Sequence, residues 1–232
     1  MTAFLSVRRK QIMNDKFKRS ILQLFFPNRC PVCGKIIFAC DSFCGECESK
    51  LKPFSKAHCI KGAAGFTALY EYNDDISPAI FLMKNGIGGN APYAFGKALA
   101  DRLISVGYAG DIDLIVPVPM FKRDEKKRGF NQSELICKET GKFLSIPVNT
   151  KCLKKIHSTS SQKSLGRMER LTNLTGAFTV TDAKAVKGKR ILVIDDVCTT
   201  GSTLSEITHE LINVGAEKVY CAACCKTPEK NE

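Results

Sequence analysis

The fold is decided by the stretch Ile191-Leu-Val-Ile-Asp195-Asp196-Val-Cys-Thr199-Thr200-Gly201-Ser-Thr203. Its four apolar residues predict a buried strand, and two carboxylates stand where that strand ends. The small residues that follow open a predicted helix, whose backbone N–H groups and positive dipole end suit a phosphate. Asp195 and Asp196 can accept hydrogen bonds from two sugar hydroxyls or hold a metal through water. A pocket for a ribose 5-phosphate is therefore predicted; the alternative is a capped helix with solvated aspartates.

Strands and helices alternate along the chain from Gly65 onward. The predicted strands are 66–72, 113–118, 148–153, 176–180, 190–195 and 218–225, and the predicted helices are 77–85, 91–105, 132–144 and 202–214. This alternation predicts an α/β fold, a doubly wound and mainly parallel sheet with helices on both faces. In such a sheet the ligand lies beyond the carboxyl ends of the strands, where the Asp-Asp pair stands.

Two CxxC turns, Cys30-Pro-Val-Cys33 and Cys44-Gly-Glu-Cys47, precede this region. Paired turns of this kind are typical of a small zinc ribbon, in which four thiolates hold a structural zinc ion. A redox CxxC would need a strand-helix context that is missing here. Cys40 and Cys59 stay unassigned, although Cys40 can replace one of the four. The predicted organisation is residues 1–28, then the zinc-ribbon subdomain 29–62, then the α/β domain 63–232.

The N-terminal segment 14–26 has apolar residues at one-face helical spacing, Phe17, Ile21, Leu24 and Phe25, and Pro27 ends it. We expect this amphipathic helix to pack on the domain behind it; a membrane or a partner protein is the alternative.

Composition favours the cytoplasm and a polyanionic partner. No apolar run is long enough to span a bilayer, and the basic N-terminus lacks a signal-peptide apolar region. The CxxC pairing among 12 cysteines indicates a metal in a reducing compartment rather than disulfides. The net charge of +12 favours nucleic acid or a heavily phosphorylated ligand, although a solvated basic surface is the simpler alternative. Any nucleic acid would be bound mainly through its phosphates.

A second strand end carries Val116-Pro-Val-Pro119, whose prolines stiffen a turn, followed by Lys122 and Arg123. These two cations are candidates to clamp a pyrophosphate, or they are solvated residues after a rigid turn. Further along come Arg128-Gly-Phe-Asn131-Gln132 and the stretch 160–173, Ser-Ser-Gln-Lys-Ser-Leu-Gly-Arg-Met-Glu-Arg-Leu-Thr-Asn.

The strand-Asp-Asp-loop stretch resembles the 5-phosphoribosyl-1-pyrophosphate (PRPP) signature of type I phosphoribosyltransferases. Taken with the CxxC turns, the Pro-Val-Pro turn and the two basic stretches, in that order, the chain resembles the competence protein F (ComF/ComFC, GntX-like) family. The resemblance runs from about residue 21 to residue 226. It implies a type I phosphoribosyltransferase-like domain with an N-terminal zinc finger, and a role in DNA uptake during natural transformation.

The resemblance also implies roles for particular residues. Asp195 and Asp196 would hold the ribose hydroxyls, help to place Mg²⁺ and serve as the catalytic carboxylates. The 5-phosphate would be cradled by the loop residues Thr199, Thr200, Gly201, Ser202 and Thr203. The rim or a mobile loop would be formed by Arg128, Asn131, Gln132, Gln162, Arg167 and Arg170. Expected partners are PRPP, incoming single-stranded DNA, and helicase or channel proteins at the inner face of the membrane.

The alternative function is a nucleotide-salvage phosphoribosyltransferase that joins PRPP to a free base. Such an enzyme needs a pocket after the last strand that contacts the base, and we expect little material for it after Lys226. No histidine is a convincing general base, and the acceptor of any transfer stays open. Cys198 lies inside the loop, where it is either an acidic, oxidation-prone thiol or a small filler.

Overall fold

The computed structural model describes residues 19–23, 25–86, 89–157 and 176–228. Its elements follow the chain in the order α1 (Gly45–Glu48), β1 (Gly65–Glu71), α2 (Ser77–Lys84), α3 (Ala91–Ser105), a 3₁₀ turn (Ala109–Asp111), β2 (Leu114–Pro117), α4 (Lys122–Arg128), α5 (Gln132–Leu144), β3 (Leu153–Lys155), β4 (Phe178–Val180), α6 (Ala183–Val186), β5 (Arg190–Cys198), α7 (Ser202–Asn213) and β6 (Lys218–Lys226). The four predicted helices begin at the observed residues.

The main sheet has the strand order β1-β6-β5-β2, and every neighbouring pair is parallel. Strands β3 and β4 form a separate antiparallel pair. After β5 the chain continues to β6, on the side of β5 away from β2. After β2 it continues to the opposite side, where Val148 forms a parallel bridge with Ile115. The strand order therefore reverses between β5 and β2. A crevice opens at such a point beyond the carboxyl ends of the strands, which places any ligand there.

Helices cover both faces of this sheet, as predicted. Within β5, Leu192 and Ile194 pack with α3 and α5 on one face, whereas Ile191 and Val193 pack with α7 on the other. Helices α3 and α5 approach each other closely at Gly96, where an added Cβ atom would lie 2.4 Å from Cβ of Glu139. Only glycine fits that contact, so the α3–α5 layer depends on it.

Two predicted details differ from the structure. The predicted strand 148–153 makes a single bridge at Val148, and the strand begins only at Leu153. The side chain of Asn149 accepts hydrogen bonds from the backbone N–H groups of Lys151 and Cys152, and this local turn bends the chain out of the strand. Residues 122–128, for which no element is predicted, form the short helix α4.

Of the four apolar residues in the predicted N-terminal helix, the two that the structure describes are exposed. Residues 19–23 are helical, yet the side chains of Ile21 and Phe25 are 46% and 75% exposed. The polar residues face inward instead: the Arg19 guanidinium lies over the ring of Tyr93 and donates to the carbonyl of Ala39. In the described part of this segment, hydrogen bonds of Arg19 and Gln23 join it to the rest of the protein. Phe17 and Leu24 lie outside the described residues.

The segment that leaves the zinc ribbon joins the edge of the main sheet. The backbone N–H of Phe54 donates to the carbonyl of Leu69, and that of Glu71 donates to the carbonyl of Lys52. The segment then passes beneath the start of α7, where the Ser205 hydroxyl donates to the carbonyl of Lys61. The ribbon is thereby connected to the carboxyl edge of β5. The predicted boundary between residues 62 and 63 stays a prediction.

Candidate functional site

The two aspartates lie at the carboxyl end of β5, in the crevice between β5 and β2. Strand residues before them alternate between the two faces of the sheet, and both aspartates are partly buried. Their backbones also bind their side chains: the N–H of Asp196 donates to Asp195 Oδ1 at 2.8 Å, and that of Val197 donates to Asp196 Oδ1 at 2.7 Å. Each carboxylate is therefore held in a defined direction.

Asp195 faces the first turn of α5. The Ser133 hydroxyl donates to Asp195 Oδ1 at 3.3 Å. Burial, with the neighbouring negative charge of Asp196 as the second cause, raises the pKa of Asp195 to about 7. A carboxyl group with such a pKa gains or loses its charge near neutral pH, and a cation or a hydroxyl donor stabilises its charged form.

Asp196 faces helix α2 on the other side. Its Oδ2 atom lies 3.1 Å from the Nζ atom of Lys84, the last residue of that helix. The carboxylate side chain is only 14% exposed, whereas the lysine is 38% exposed. The ion pair therefore closes one side of the crevice with a positive charge.

The loop after β5 has the geometry of an anion site. Gly201 has φ +82°, and a Cβ atom there would lie 2.5 Å from Cδ1 of Ile60, so the turn requires glycine. The hydroxyls of Thr200 and Ser202 are 2.7 Å apart, and the N–H of Ser202 donates to the Thr200 hydroxyl. Ser202 is the first residue of the 12-residue helix α7, whose N-terminus favours a negative charge.

Residues Asn131, Gln132 and Ser133 form the opposite wall of the crevice. The Asn131 side chain accepts from the N–H of Ser133 and donates to the carbonyl of Val118, which ties α5 to the loop after β2. Gln132 is 3% exposed, and among the described residues its Nε2 atom has no hydrogen-bond partner. A buried amide group without a partner is costly in free energy, so a ligand atom at this wall would stabilise it.

The other predicted site residues that the structure describes on α4 are exposed. Arg128 is exposed at the end of α4, and its guanidinium approaches the sulfur of Met120 at 3.9 Å. Lys122 and Arg123 lie in the exposed first turn of α4, and in the part of the chain that the structure describes no hydrogen bond or ion pair joins them to the aspartates. Gln162, Arg167 and Arg170 lie outside the described residues, so their roles stay predictions.

Sequence reasoning missed four groups that the structure brings to this edge of the sheet. They are Lys84, Ser133, Lys155 and Lys226. Lys155 ends β3, and burial lowers its pKa while the charges of Asp124 and Asp195 oppose that shift. Lys226 is 3% exposed opposite Cys198 in the neighbouring strand. No local motif marks any of the four, because each depends on a contact between distant elements.

Cys198 is a buried filler rather than an acidic thiol. It is 2% exposed, and burial raises its pKa to about 12 despite the nearby charge of Lys226. The thiol therefore stays protonated at neutral pH, and the low-pKa interpretation is wrong.

The four predicted zinc ligands converge. Ligand atoms of Cys30, Cys33, Cys44 and Cys47 all lie within 4.8 Å of one another. The Cys33 and Cys44 sulfurs are 3.6 Å apart, close to the value of about 3.8 Å that a tetrahedral zinc with 2.3 Å bonds implies. Cys40 and Cys59 are not members of this cluster. Four thiolates leave no open position, so the zinc is structural.

Two family models match the chain. A double zinc ribbon domain matches residues 21–77, and a phosphoribosyl transferase domain matches residues 149–232. Within the described residues, the four cysteines of the two CxxC turns form the potential metal-binding group found in this segment. The parallel sheet, the Asp-Asp pair at its carboxyl edge and the zinc ribbon define the class: a type I phosphoribosyltransferase-like fold with an N-terminal zinc ribbon.

Curated relatives extend the match over most of the chain. DNA utilization protein YhgH of Escherichia coli K12 is 28% identical over 201 residues, covering 85% of this chain and 84% of that protein. Competence protein F of Haemophilus influenzae is 28% identical over 187 residues, covering 76% and 81%. Competence protein ComFC of Bacillus subtilis is 26% identical over 197 residues, covering 85% and 77%. The chain is therefore similar, over most of its length, to the competence proteins F and ComFC and to the DNA utilization protein YhgH.

Proposed function

We propose that this protein binds PRPP with Mg²⁺ in the crevice between β5 and β2. The proposal rests on two different binding groups that lie side by side, one suited to hydroxyls and the other to a phosphate. A pair of carboxylates directly precedes a loop whose backbone N–H groups and glycine turn suit a phosphate. A ribose 5-phosphate has its vicinal hydroxyls at one end and its phosphate at the other, which matches this arrangement.

Asp195 and Asp196 would accept hydrogen bonds from the ribose hydroxyls and contribute to the surroundings of Mg²⁺. The magnesium ion would supply charge neutralisation for a departing pyrophosphate. Ser133 orients Asp195, Asn131 fixes the start of α5, and the α7 N-terminus stabilises the 5-phosphate. These residues bind and orient the sugar phosphate whether or not a transfer follows.

Isothermal titration calorimetry of the zinc-loaded protein with PRPP and Mg²⁺ tests this proposal. The wild type should bind, and Asp196→Ala should lose the binding heat because the diol then lacks a principal acceptor. Equal binding by the variant would contradict the pocket. Adding free bases to the same mixture separates the two functions: pyrophosphate release with one base would support nucleotide salvage, and its absence with all of them would support the competence-related role.

The proposed cellular role is handling of incoming single-stranded DNA in the cytoplasm, at the inner face of the membrane and beside helicase or channel proteins. The relatives named competence protein and DNA utilization protein support this role, as does the net charge of +12. Among the described residues, no helix combines the length and the apolar character that crossing a bilayer requires.

A peripheral contact with anionic lipid is supported by an exposed apolar ridge on the N-terminal segment and the ribbon. The ridge consists of Ile21, Leu22, Phe25, Phe26, Ile36 and Phe38, which are 46% to 79% exposed. The exposed residue Arg29 bridges Ile36 beside it, and the whole chain is basic, which complements anionic headgroups. Three of the six side chains are aliphatic and offer no ring for stacking a base, so lipid fits the ridge better than nucleic acid.

Cosedimentation with vesicles tests the ridge. The protein should bind vesicles that contain phosphatidylglycerol and should lose that binding when Phe25 and Phe26 are both changed to Ser. Phe81→Ser is the matched control, because Phe81 is 66% exposed outside the ridge. Binding that survives the double change, or a dimer that dissociates on it without any vesicle binding, would contradict the lipid contact.

A further inference from the structure

Lys84 forms an ion pair with a largely buried carboxylate, that of Asp196, as Lys52 does with Glu71. Lys97 and Asp101 form an ordinary helical pair at 3.2 Å, in which the carboxylate is 60% exposed. Lys84 is equally exposed and its pair is 3.1 Å long, but its carboxylate partner is 14% exposed and belongs to the sugar-binding crevice. The lysine therefore places its charge inside the candidate site.

The stereochemistry of PRPP explains what a cation does at this position. Its pyrophosphate leaves C1 on the same face of the ring as the 2- and 3-hydroxyls. Cations beside the carboxylates that hold those hydroxyls are therefore near the pyrophosphate, whereas the 5-phosphate lies at the far end, over Gly201. Lysine is well suited to a phosphate because it acts as a mobile point charge with three donors.

We propose that Lys84 binds the pyrophosphate of PRPP, and that it exchanges its contact with Asp196 for the pyrophosphate when the ligand arrives. The proposal rests on the proposed function. In the unliganded protein the Lys84 charge neutralises Asp196, and in the complex the pyrophosphate takes the lysine while the ribose hydroxyls and Mg²⁺ take the carboxylate. No bond is made or broken in this exchange.

Calorimetry of the full chain with three probes tests the proposal: PRPP with Mg²⁺, magnesium pyrophosphate, and ribose 5-phosphate. Lys84→Met should weaken binding of the first two by about 10- to 100-fold, the usual effect of losing a charged hydrogen bond. Binding of ribose 5-phosphate, which lacks the pyrophosphate, should be unchanged. Lys84→Arg should restore most of the loss.

Lys97→Met is the matched control and should alter none of the three affinities, and thermal unfolding of every variant confirms that it is folded. Equal weakening of PRPP and ribose 5-phosphate by Lys84→Met would mean that the lysine only orients Asp196, and unchanged PRPP affinity would exclude any contact; either result overturns the proposal. A different result would contradict the proposed function alone. If the wild type binds magnesium pyrophosphate through Lys84 but binds neither PRPP nor ribose 5-phosphate, the lysine site is supported and the sugar pocket is not.

Discussion

Asp195 and Asp196 are neighbours in sequence with different partners. Asp195 accepts from Ser133 and sits where burial raises its pKa, whereas Asp196 pairs with Lys84. Two adjacent carboxylates repel each other when both are charged, and this protein lowers that cost with one hydrogen bond and one ion pair. This arrangement supports the proposal of a ligand that brings hydroxyl donors and a divalent cation.

The raised pKa of Asp195, about 7, predicts a pH-dependent stability of the unliganded protein. The folded state binds this proton more tightly than the unfolded chain, whose Asp pKa is about 3.9. Stability should therefore fall as pH rises from about 4 to about 7, and Asp195→Asn should remove this part of the fall. Urea denaturation of both proteins at several pH values measures the difference. A wild-type-minus-variant difference that stays constant across that range would contradict the prediction.

At the level of elements, the zinc ribbon is connected to the loop after β5, residues 199–203. The segment after the ribbon places Ile60 against Gly201 and Lys61 against the first turn of α7. Ile60 and Phe54 pack in the same apolar cluster as Leu204 of α7. Loss of order in the ribbon would therefore reach the loop that is proposed to hold the 5-phosphate.

Zinc removal should weaken PRPP binding as well as unfold the ribbon. A segment of this size lacks enough apolar core to fold alone, and structural zinc contributes on the order of 10 kcal/mol. Cys44→Ser should release the metal and lower PRPP affinity. Cys59→Ser should do neither, because that exposed thiol is not a member of the cluster. Metal analysis and calorimetry on the two variants measure zinc content and PRPP affinity. Full PRPP affinity in zinc-free protein would contradict the prediction that the ribbon supports the loop after β5.

At the level of the whole molecule, positive charge is the dominant property. The chain carries 35 Lys and Arg against 23 Asp and Glu, and its isoelectric point is about 9.2. Several exposed basic residues cluster on α4, which includes Lys126, Lys127 and Arg128 and borders the crevice. A surface of this kind attracts polyanions over distances comparable with the Debye length, about 10 Å at 0.1 M salt.

Single-stranded DNA should bind with an affinity that falls steeply as salt rises, because bound lysines and arginines release counterions from the phosphates. With about five phosphate contacts, the slope of log K against log salt concentration should be about −3.5. Fluorescence anisotropy with a labelled oligonucleotide measures it. Asp196→Ala should bind DNA as well as the wild type if the proposed sugar-phosphate pocket is separate from the surface that binds DNA. No binding at low salt, or a flat salt response, would remove nucleic acid from the proposed role.

The local pattern of the sequence was enough to predict much of this protein. Apolar runs and 3.6-residue periodicity predicted the helices at 77, 91, 132 and 202 because periodicity reflects burial on one face. The Asp-Asp pair and the CxxC turns were recognisable because their ligands are close together in sequence, and the four zinc-ligand cysteines do converge. Features of this kind depend on neighbouring residues.

The tertiary structure decided what depends on distant residues. Lys84 meets Asp196 across 112 positions and Ser133 meets Asp195 across 62, distances over which no periodicity carries information. The amphipathic N-terminal segment was predicted to pack on the domain behind it; Arg19 does contact Tyr93 and Ala39, while the described apolar residues Ile21 and Phe25 are exposed. Hydrophobic pattern determines which residues tend to be buried, but the long-range hydrogen bonds and ion pairs of the folded chain determine which cations and carboxylates share a pocket.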